Sequence, residues 1–438
     1  MAHKLWEKNF EVNKEIERFT VGRDRELDMY LAQFDVQASK AQANMLAKAG
    51  LLSEEENQQL QQGLAELAAQ IEDGTFTIEE EFEDVHSKIE YYLTDKFSNA
   101  GKKIHTARSR NDQVLTAIQL FLKNYTERAA AKTLELVQVL LQKAEAHKDE
   151  LMPGYTHFQA AMPSSFGLWF SAYAEHLLLD LALFEAAHTV ADQNPLGSGA
   201  GFGSSFPIDR QQTTREIGFG SLAVSSVGAQ MLRGKTEKTV AFALAGAAAT
   251  LAKMAYDLVL YNSQDLAFVE LPAAFTTGSS IMPHKKNPDV FELIRARCNA
   301  LQGVPNTIIL ATSNLPSGYH RDFQILKELL FEPLVQFMDI LDIVLFALPE
   351  LRIKPDLVNQ PKYDAIFTVE NINQLIQAGV PFREAYKQVG HAVEDGSYQP
   401  HREFRTTHLG SVHELGLAEI RTKVAALRQR SPLLANQQ

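Results

Sequence analysis

The segment from Lys102 to Met152 contains neither glycine nor proline, and it constrains the fold more than any other feature of the chain. Its apolar residues recur three and four positions apart, which is the spacing of one face of an α-helix. A helix over most of this segment is about 55–60 Å long at about 1.5 Å per residue. Few globular domains need a helix of that length, so the sequence predicts an elongated helical bundle. The apolar residues are Val114, Ile118, Phe121, Leu122, Tyr125, Leu136, Val137, Leu140 and Leu141.

Two further segments are typical of buried bundle helices. The segment Glu237–Tyr261 is apolar nearly all round, so it must be enclosed by other helices, and other subunits are a natural source of them. Leu334–Leu348 predicts another such helix, which Pro349 ends. Nearer the start, Ser53 is followed three residues later by Glu56, which predicts a helix N-terminus closed by a capping box.

Composition changes at both ends of this apolar region. The sequence before Gly101 is more polar, and its stretches of helical periodicity are shorter. The sequence after Pro349 becomes polar again. We therefore expect an all-α fold in which an elongated central helical bundle is flanked by two small, mainly helical domains. The expected parts are residues 1–105, 106–349 and 350–438, and the central part is expected to form the oligomer core.

The composition of the 438 residues restricts the class of function. A net charge of −12 argues against binding to nucleic acid or to an anionic membrane surface, because both require a basic face. One cysteine, Cys298, rules out an internal disulfide and is typical of a reducing compartment. The start of the chain lacks an apolar signal core, and the most apolar run, Thr239–Ala252, is too short to cross a bilayer. We expect a cytoplasmic protein with no membrane or nucleic-acid partner.

The stretch TTGSSIMPHKKNPD, residues 276–289, fits neither helical nor strand periodicity. It offers the hydroxyls of Ser279 and Ser280, two lysines and the amide of Asn287. Such a loop could close over an anionic substrate and stabilise charge that develops during a reaction. The alternative is a solvated connector in which Asn287 caps a helix that starts at Pro288. Composition alone favours neither interpretation.

Two other short polar segments favour the functional interpretation. HTARSRNDQV, from His105, places hydrogen-bond donors where the long helix begins, which is a common position for an anion site. PGYTHFQ, from Pro153, places Thr156 and His157 in a turn after that helix ends. Histidine exchanges protons readily near neutral pH, although a single histidine is more often structural. Three polar loops in one helical chain are expected to belong to one site.

Two glycine-rich segments resemble nucleotide-binding motifs without matching them. In GAQMLRGKT, from Gly228, five residues separate the glycines where a P-loop has four. GSGAGFGSS, from Gly197, lacks the G-x-G-x-x-G spacing. No histidine or carboxylate pair has a metal-ligand spacing in a matching context. We therefore expect no cofactor and no metal.

With these motifs identified, the chain resembles the fumarase/aspartase superfamily. TTGSSIMPHKKNPD matches the superfamily signature G-S-S-x-M-x-x-K-x-N at every defined position. HTARSRNDQV and MPGYTHFQ resemble the other two signature regions as they occur in argininosuccinate lyases. The resemblance covers nearly the whole chain, including LWEKN near the start, EDVHSKIE at residues 83–90 and GVPFREAYKQVG near the end.

The resemblance implies β-elimination at a C–N bond with release of fumarate, and for argininosuccinate lyases the other product is arginine. It implies Ser279 and His157 as the base and the acid. We favour Ser279 as the base, activated by Lys285 and backbone donors, with His157 oriented by Glu292. The reverse assignment of the two roles stays open. The residues that match the family's substrate contacts or cleft are Ser39, His86, Arg110, Asn111, Thr156, Asn287, Tyr319, Gln324 and Lys327. The family also implies a homotetramer whose active sites are shared between subunits.

Several positions depart from the family pattern. Ala38 stands where glycine is common, and Tyr386 stands where histidine is common. The segment from Val224 to Glu237 also differs from the usual D-A-V-S-D-R-D-F run. This difference bears on the details of substrate binding in that segment. The alternatives are a sister lyase that acts on adenylosuccinate, aspartate or malate, and a structural protein similar to a lens crystallin. The intact set of Ser279, His157 and Lys285 argues against loss of catalysis.

Overall fold

The computed structural model of the chain describes residues 13–434, and it is mostly helical. The LWEKN segment at residues 5–9 lies outside the described residues. The N-terminal helices are α1 (Lys14–Val21), α2 (Asp24–Leu27), α3 (Ala32–Lys48), α4 (Glu54–Glu72), α5 (Val85–Phe97), α6 (Asn99–Lys103), α7 (Arg110–Ala146), α8 (Phe166–Ala191) and α9 (Arg210–Ile217). They are followed by α10 (Ser226–Gln230), α11 (Lys235–Tyr261), α12 (Asp289–Leu301), α13 (Val304–Ala311), α14 (Ile325–Ala347), α15 (Thr368–Gln377), α16 (Phe382–Glu394) and α17 (Leu417–Arg430).

Short strands supplement the helices. They are β1 (Leu151–Thr156), β2 (Gln159–Ser165), β3 (Gln193–Asn194), β4 (Ser221–Leu222), β5 (Val269–Glu270) and β6 (Arg352–Ile353). The pairs β1–β2 and β5–β6 are antiparallel, and β3–β4 is parallel. The prediction of a helical fold is confirmed, and each of the sheets has two short strands.

The chain forms two compact units, each assembled from three separate segments. Unit 1 comprises the described residues up to Ala129, with Leu183–Gly246 and Leu301–Phe337. Unit 2 comprises Ala130–Ala182, Ala247–Ala300 and the described residues from Met338 onward. Four long helices, α7, α8, α11 and α14, contribute residues to both units. This division cuts across the three consecutive parts expected from the sequence, and boundaries at residues 105 and 349 stay a prediction.

The predicted long helix is confirmed as α7, whose 37 residues span about 55 Å. Helix α14 differs from its prediction, because it begins at Ile325 and runs through Pro333. Proline in a helix interior costs about 3 kcal/mol. Leu330, Phe331 and Leu334 surround it and are fully buried, and burial of such side chains stabilises by about 1.5–3 kcal/mol each, which offsets that cost.

Local signals near the chain start are also confirmed. Ser53 Oγ accepts the Glu56 N–H at 3.1 Å, and Glu56 Oε2 accepts the Ser53 N–H at 2.9 Å, which is the predicted capping box. Inside unit 1, α3 to α6 share a core that includes Leu46, Leu64 and Leu93. Gly63 permits the close approach of α4 to α5, because a Cβ there would lie 2.6 Å from the Leu93 side chain.

Helix α11 extends beyond the apolar run Thr239–Ala252, which by itself is too short to cross a bilayer. Its 27 residues are long and apolar enough, by length and composition, to cross a membrane, and half of its most apolar window is buried. One such helix is weak support for a membrane protein, because core helices of soluble proteins meet the same criterion. Phe242 and Tyr256 lie on its exposed side, so part of its apolar surface remains uncovered within one chain.

Candidate active site

The structure divides the predicted site residues between the two units. Unit 1 carries Ser39, His86, Arg110, Asn111, Tyr319, Gln324 and Lys327. Unit 2 carries Thr156, His157, Ser279, Lys285, Asn287 and Glu292. All residues expected to transfer protons therefore belong to unit 2, whereas most residues expected to hold the substrate belong to unit 1.

A buried polar network supports the unit 1 group. His86 Nδ1 lies 2.8 Å from Asp35 Oδ2, and the Gln113 amide donates to the same carboxylate at 3.0 Å. Arg108 donates to Ser39 Oγ at 3.0 Å. Despite the opposing effect of burial, the Asp35 charge raises the pKa of His86, and the His86 charge lowers the pKa of Asp35. Ser39 is completely buried in this network.

The first turn of α7 presents Arg110 and Asn111. Ser109 Oγ accepts the Asn111 N–H at 3.2 Å, and Asp112 Oδ1 accepts the Ser109 N–H at 2.8 Å, so the two side chains cap the helix reciprocally. The other Asp112 oxygen accepts the N–H groups of Gly197 and Gly199, each at 2.9 Å. Burial nevertheless raises the pKa of Asp112 to about 6. This carboxylate fixes the start of α7 to the glycine-rich loop.

The backbone conformation of the glycine-rich loop requires glycine at two positions. Gly197 has a φ of 83° and Gly199 a φ of 59°, which is the left-handed region that other residues rarely adopt. Gln230 donates to Ser198 Oγ at 3.0 Å and to the Gly199 carbonyl at 3.1 Å. The loop therefore has a structural role in this fold, as a support for the start of α7.

A cavity of about 150 Å³ in unit 1 gathers five of the predicted residues. Its lining is Val21, Asp24, Asp28, Glu83, Asp84, Arg110, Asn111, Val114, Arg233, Tyr319, Arg321, Gln324 and Lys327. Four of these side chains are carboxylates and four are cations, so the wall is strongly polar and electrically balanced. Such a wall suits a ligand that carries charges of both signs.

The cations of the cavity have different partners. Lys327 Nζ lies 2.7 Å from Asp24 Oδ1 and 2.7 Å from Asp28 Oδ1. Arg110 forms ion pairs with Glu83 at 2.9 Å and Asp84 at 3.2 Å. The charges of Lys327 and Arg110 are therefore already compensated by the carboxylates of the wall.

Other polar side chains of the cavity donate to backbone carbonyl groups. Arg321 donates to the Thr20 carbonyl at 2.8 Å, and Gln324 donates to the same oxygen at 2.7 Å. Arg233 is buried, lies 3.3 Å from Glu237 and donates to the Phe323 carbonyl at 2.7 Å. Arg233 belongs to the segment from Val224 to Glu237 that departs from the family pattern, so the cavity wall itself includes this departure.

In unit 2, His157 occupies the tip of the β1–β2 hairpin. His157 and Phe158 form its turn, and both have positive φ values, 53° and 58°. Two consecutive residues with positive φ are the mark of a type I′ hairpin turn, which matches the twist of the strands. Both side chains are exposed, and no hydrogen bond or ion pair of the His157 imidazole is present within residues 13–434. Thr156 precedes the turn and pairs with Gln159.

The signature loop also lies in unit 2 and is closed at its base. Thr277 and Asn287 exchange backbone hydrogen bonds of 2.9 and 3.2 Å. Ser279 Oγ accepts the N–H of Met282 at 3.1 Å, and Lys285 is exposed. Between Thr277 and Asn287, every residue except the half-buried Ser279 is exposed to solvent.

The helix-cap interpretation of Asn287 differs from the structure. Helix α12 begins at Asp289, and its first turn uses the Pro288 carbonyl, which accepts from Phe291 and Glu292. The Asn287 amide donates instead to Thr277 Oγ1 at 3.4 Å. The Asn287 side chain therefore stabilises the base of the loop, and the helix starts one residue later than predicted. Glu292 is half-buried in the first turn of α12.

Sequence reasoning missed Asp24, Asp28, Glu83, Asp84 and Arg233 as cavity residues. Asp24 and Asp28 are four residues apart, and Glu83 and Asp84 begin the EDVHSKIE motif, but local spacing does not reveal which cation each one meets. Asp112 was also missed, although the S-x-x-D spacing from Ser109 is a capping signal.

The chain is similar to known proteins in both its sequence and its fold. Residues 11–303 match the family described as Lyase. An argininosuccinate lyase of Parabacteroides distasonis is 52% identical over 95% of this chain and 93% of its own length. One of Bacteroides fragilis is 51% identical over 98% and 96% of the two chains, and one of Xanthomonas campestris is 41% identical over 88% and 90%.

Solved structures show the same fold at low sequence identity. An EDDS lyase in complex with formate has a TM-score of 0.73 at 22% identity and covers 98% of this chain and 94% of its own. A class II fumarase from Schistosoma mansoni has a TM-score of 0.73 at 15% identity, with 96% and 94% covered. A fumarate lyase:delta crystallin from Brucella melitensis has a TM-score of 0.70 at 18% identity, with 97% and 94% covered. These likenesses concern the fold alone.

Proposed function

Because the chain belongs to the argininosuccinate lyase family, we propose that it cleaves 2-(Nω-L-arginino)succinate into L-arginine and fumarate, the last step of arginine biosynthesis. The chain is a lyase, and its relatives do not favour a sister lyase or a crystallin-like protein. The geometric observation that carries the proposal is the unit 1 cavity, where Asn111, Tyr319 and Gln324 stand among balanced charges. This wall suits the amino-acid half of the substrate, which has both an ammonium and a carboxylate group.

The proposed reaction breaks one C–N bond without redox change. A base takes a proton from the succinyl Cβ, the electron pair forms the double bond of fumarate, and the bond from carbon to the guanidino nitrogen breaks. That nitrogen takes a proton from a general acid, a contribution typically of about 10²–10⁴ in rate. Donors close to the substrate carboxylate stabilise the dianion that precedes bond cleavage, each by about 3–4 kcal/mol.

We assign Ser279 as the base and His157 as the acid. The N–H of Met282 donates to Ser279 Oγ at 3.1 Å, and a donor to this oxygen favours its deprotonated form. Lys285 in the same loop adds positive charge. The exchanged assignment, with His157 as acceptor and Ser279 as donor, gives the same overall balance of protons. Thr156 and Asn287 are proposed substrate contacts in unit 2.

We further propose a homotetramer in which different chains supply the groups of one active site. Uncovered apolar side chains on α8, α11 and α14 support assembly, including Leu179, Phe242 and Phe346. Large exposed apolar side chains on long helices favour protein–protein contact. The distribution of the site residues over two units also supports sharing. We also propose a cytoplasmic location, which the single cysteine of the sequence, Cys298, supports.

A substrate panel tests the proposed function. Argininosuccinate, adenylosuccinate, aspartate and malate all release fumarate on elimination, and fumarate is followed by its ultraviolet absorbance. We expect turnover of argininosuccinate to exceed that of the other three substrates by orders of magnitude. Preference for another substrate would replace the proposal, and a folded protein that turns over none of them would favour the structural alternative.

A further inference from the structure

We infer that Asp24 binds the α-ammonium group of the arginine half of the substrate and thereby sets specificity for an α-amino acid. This inference rests on the proposed function, which it deepens by one residue and one substrate group. It depends on a difference among the four carboxylates of the unit 1 cavity in the number of hydrogen-bond and ion-pair partners that each one has.

Two of those carboxylates, Asp28 and Asp84, have several partners, and Glu83 is paired with a guanidinium. Asp28 is held by Lys327 and by the Val85 N–H at 3.3 Å. Asp84 accepts from the Ser87 N–H and hydroxyl and pairs with Arg110. Glu83 pairs with Arg110 at 2.9 Å.

Asp24 differs from these three in having spare capacity. Among residues 13–434, Lys327 is the one partner of its side chain. An ionised carboxylate has about four acceptor positions. Asp24 is also more accessible than Asp28, with 18% of its side chain exposed against 1%. It is therefore the cavity carboxylate most able to accept a hydrogen bond from a ligand.

The local charge favours a cationic ligand at this position. Asp24, Asp28 and Lys327 together carry one net negative charge when both carboxylates are ionised. Burial raises the pKa of Asp24 to about 6, although Lys327 opposes that effect, while Asp28 and Asp84 add to it. A second cation beside Asp24 would relieve the repulsion among these three carboxylates and favour the ionised form.

The geometry favours an ammonium over a guanidinium group. The cation that Asp24 already holds is the Lys327 ammonium, a point charge with one contact of 2.7 Å to each of two carboxylates. A guanidinium makes its strongest contact as a planar fork of two parallel hydrogen bonds to one carboxylate. An α-ammonium group can take the same kind of single contact to the free acceptor positions of Asp24.

Paired ligands test this assignment directly. L-Arginine and 5-guanidinopentanoate differ only by the α-amino group, and each is used as an inhibitor of argininosuccinate turnover. We expect Asp24→Asn to raise the inhibition constant of L-arginine about 10- to 100-fold, the range of a lost charge-assisted hydrogen bond. The inhibition constant of 5-guanidinopentanoate should change less than about threefold, since that ligand has no ammonium group to lose its partner.

Glu26→Gln is the matched control, because Glu26 lies on the same helix α2 but pairs with Arg23 on the exposed surface. It should leave both inhibition constants unchanged. The ratio of the two constants within one variant does not depend on the fraction of folded protein, since both ligands bind the same molecules. Asp24→Ser should give the same change in ratio as Asp24→Asn.

Equal changes for both ligands, or no change for either, would overturn the assignment of Asp24. The proposed function is tested separately by the wild-type protein. If the wild type does not turn over argininosuccinate, the proposed function fails before any variant is compared. If the wild type is active and Asp24→Asn does not discriminate between the ligands, the failure belongs to this inference alone.

Discussion

His86 Nδ1 lies 2.8 Å from Asp35 Oδ2 in the interior of unit 1, and both side chains are almost completely removed from solvent. The pair joins α5 to α3, and Gln113 of α7 donates to the same carboxylate. Three helices that are distant in sequence thus share one buried charge. This relationship explains how the EDVHSKIE and HTARSRNDQV motifs are held together.

Removal of the Asp35 charge should destabilise unit 1. Asp35→Asn removes the strongest favourable charge beside the buried, protonated His86, so we expect the free energy of unfolding to fall by about 3–5 kcal/mol. Urea unfolding followed by circular dichroism at pH 6 measures the change. The control is Glu26→Gln, which removes an exposed ion pair and should change the free energy of unfolding far less than Asp35→Asn does. Equal small effects of both variants would show that the Asp35–His86 pair contributes little.

The stabilising effect of the same pair should depend on pH. The pKa of His86 is raised, so its contribution is present below its unfolded value of about 6.5 and is lost as pH rises through the raised value. The pKa of Asp35 is lowered, so its contribution is present above about 3.8 and is lost as pH falls through the lowered value. The stability difference between wild type and Asp35→Asn should therefore be largest from about pH 4 to 6.5 and should shrink at alkaline pH. Unfolding curves from pH 4 to 9 provide the measurement, and a difference that grows at alkaline pH would contradict the assignment.

Ser279→Ala should reduce kcat by several orders of magnitude, since general acid–base groups contribute about 10²–10⁴ each and this hydroxyl would act mainly in the transition state. Substrate affinity should remain close to that of the wild type. Ser280→Ala, which removes the neighbouring exposed hydroxyl, is the comparison and should retain most of its turnover. Fumarate release at saturating argininosuccinate gives kcat for each variant. Near-normal turnover of Ser279→Ala would remove Ser279 from the mechanism.

Shared active sites predict recovery of activity from two inactive variants. His157→Asn and Ser279→Ala chains are unfolded together in equal amounts and allowed to reassemble. If each site takes these two residues from separate chains, random mixing gives about a quarter of the sites both intact residues. Each variant treated alone should stay inactive, which is the control. Well-mixed oligomers without any recovered activity would mean that one chain supplies both residues.

The segments that carry the site could be predicted from the sequence, whereas their partners could not. The order of polar loops around Asn111, His157 and Ser279 follows from interruptions in the helical pattern. The contact between Lys327 and Asp28 could not be predicted in this way, because the two residues are 299 positions apart in the chain. No local period relates two such residues, so the sequence alone did not indicate that the cavity contains Asp24 and Asp28.

Local interactions explain what the sequence by itself determined: the helical fold, the long helix α7 and the Ser53–Glu56 capping box. Each of these depends on residues three or four positions apart, whose contacts are fixed by helix geometry itself. Only the tertiary structure decided that α14 continues through Pro333, because the burial of Leu330, Phe331 and Leu334 outweighs a local penalty. It also decided that most of the residues expected to bind substrate lie in unit 1 and that those expected to transfer protons lie in unit 2. The physical reason is that side chains hundreds of residues apart meet only after the whole chain has packed, so their pairing is a property of the fold and of no single segment.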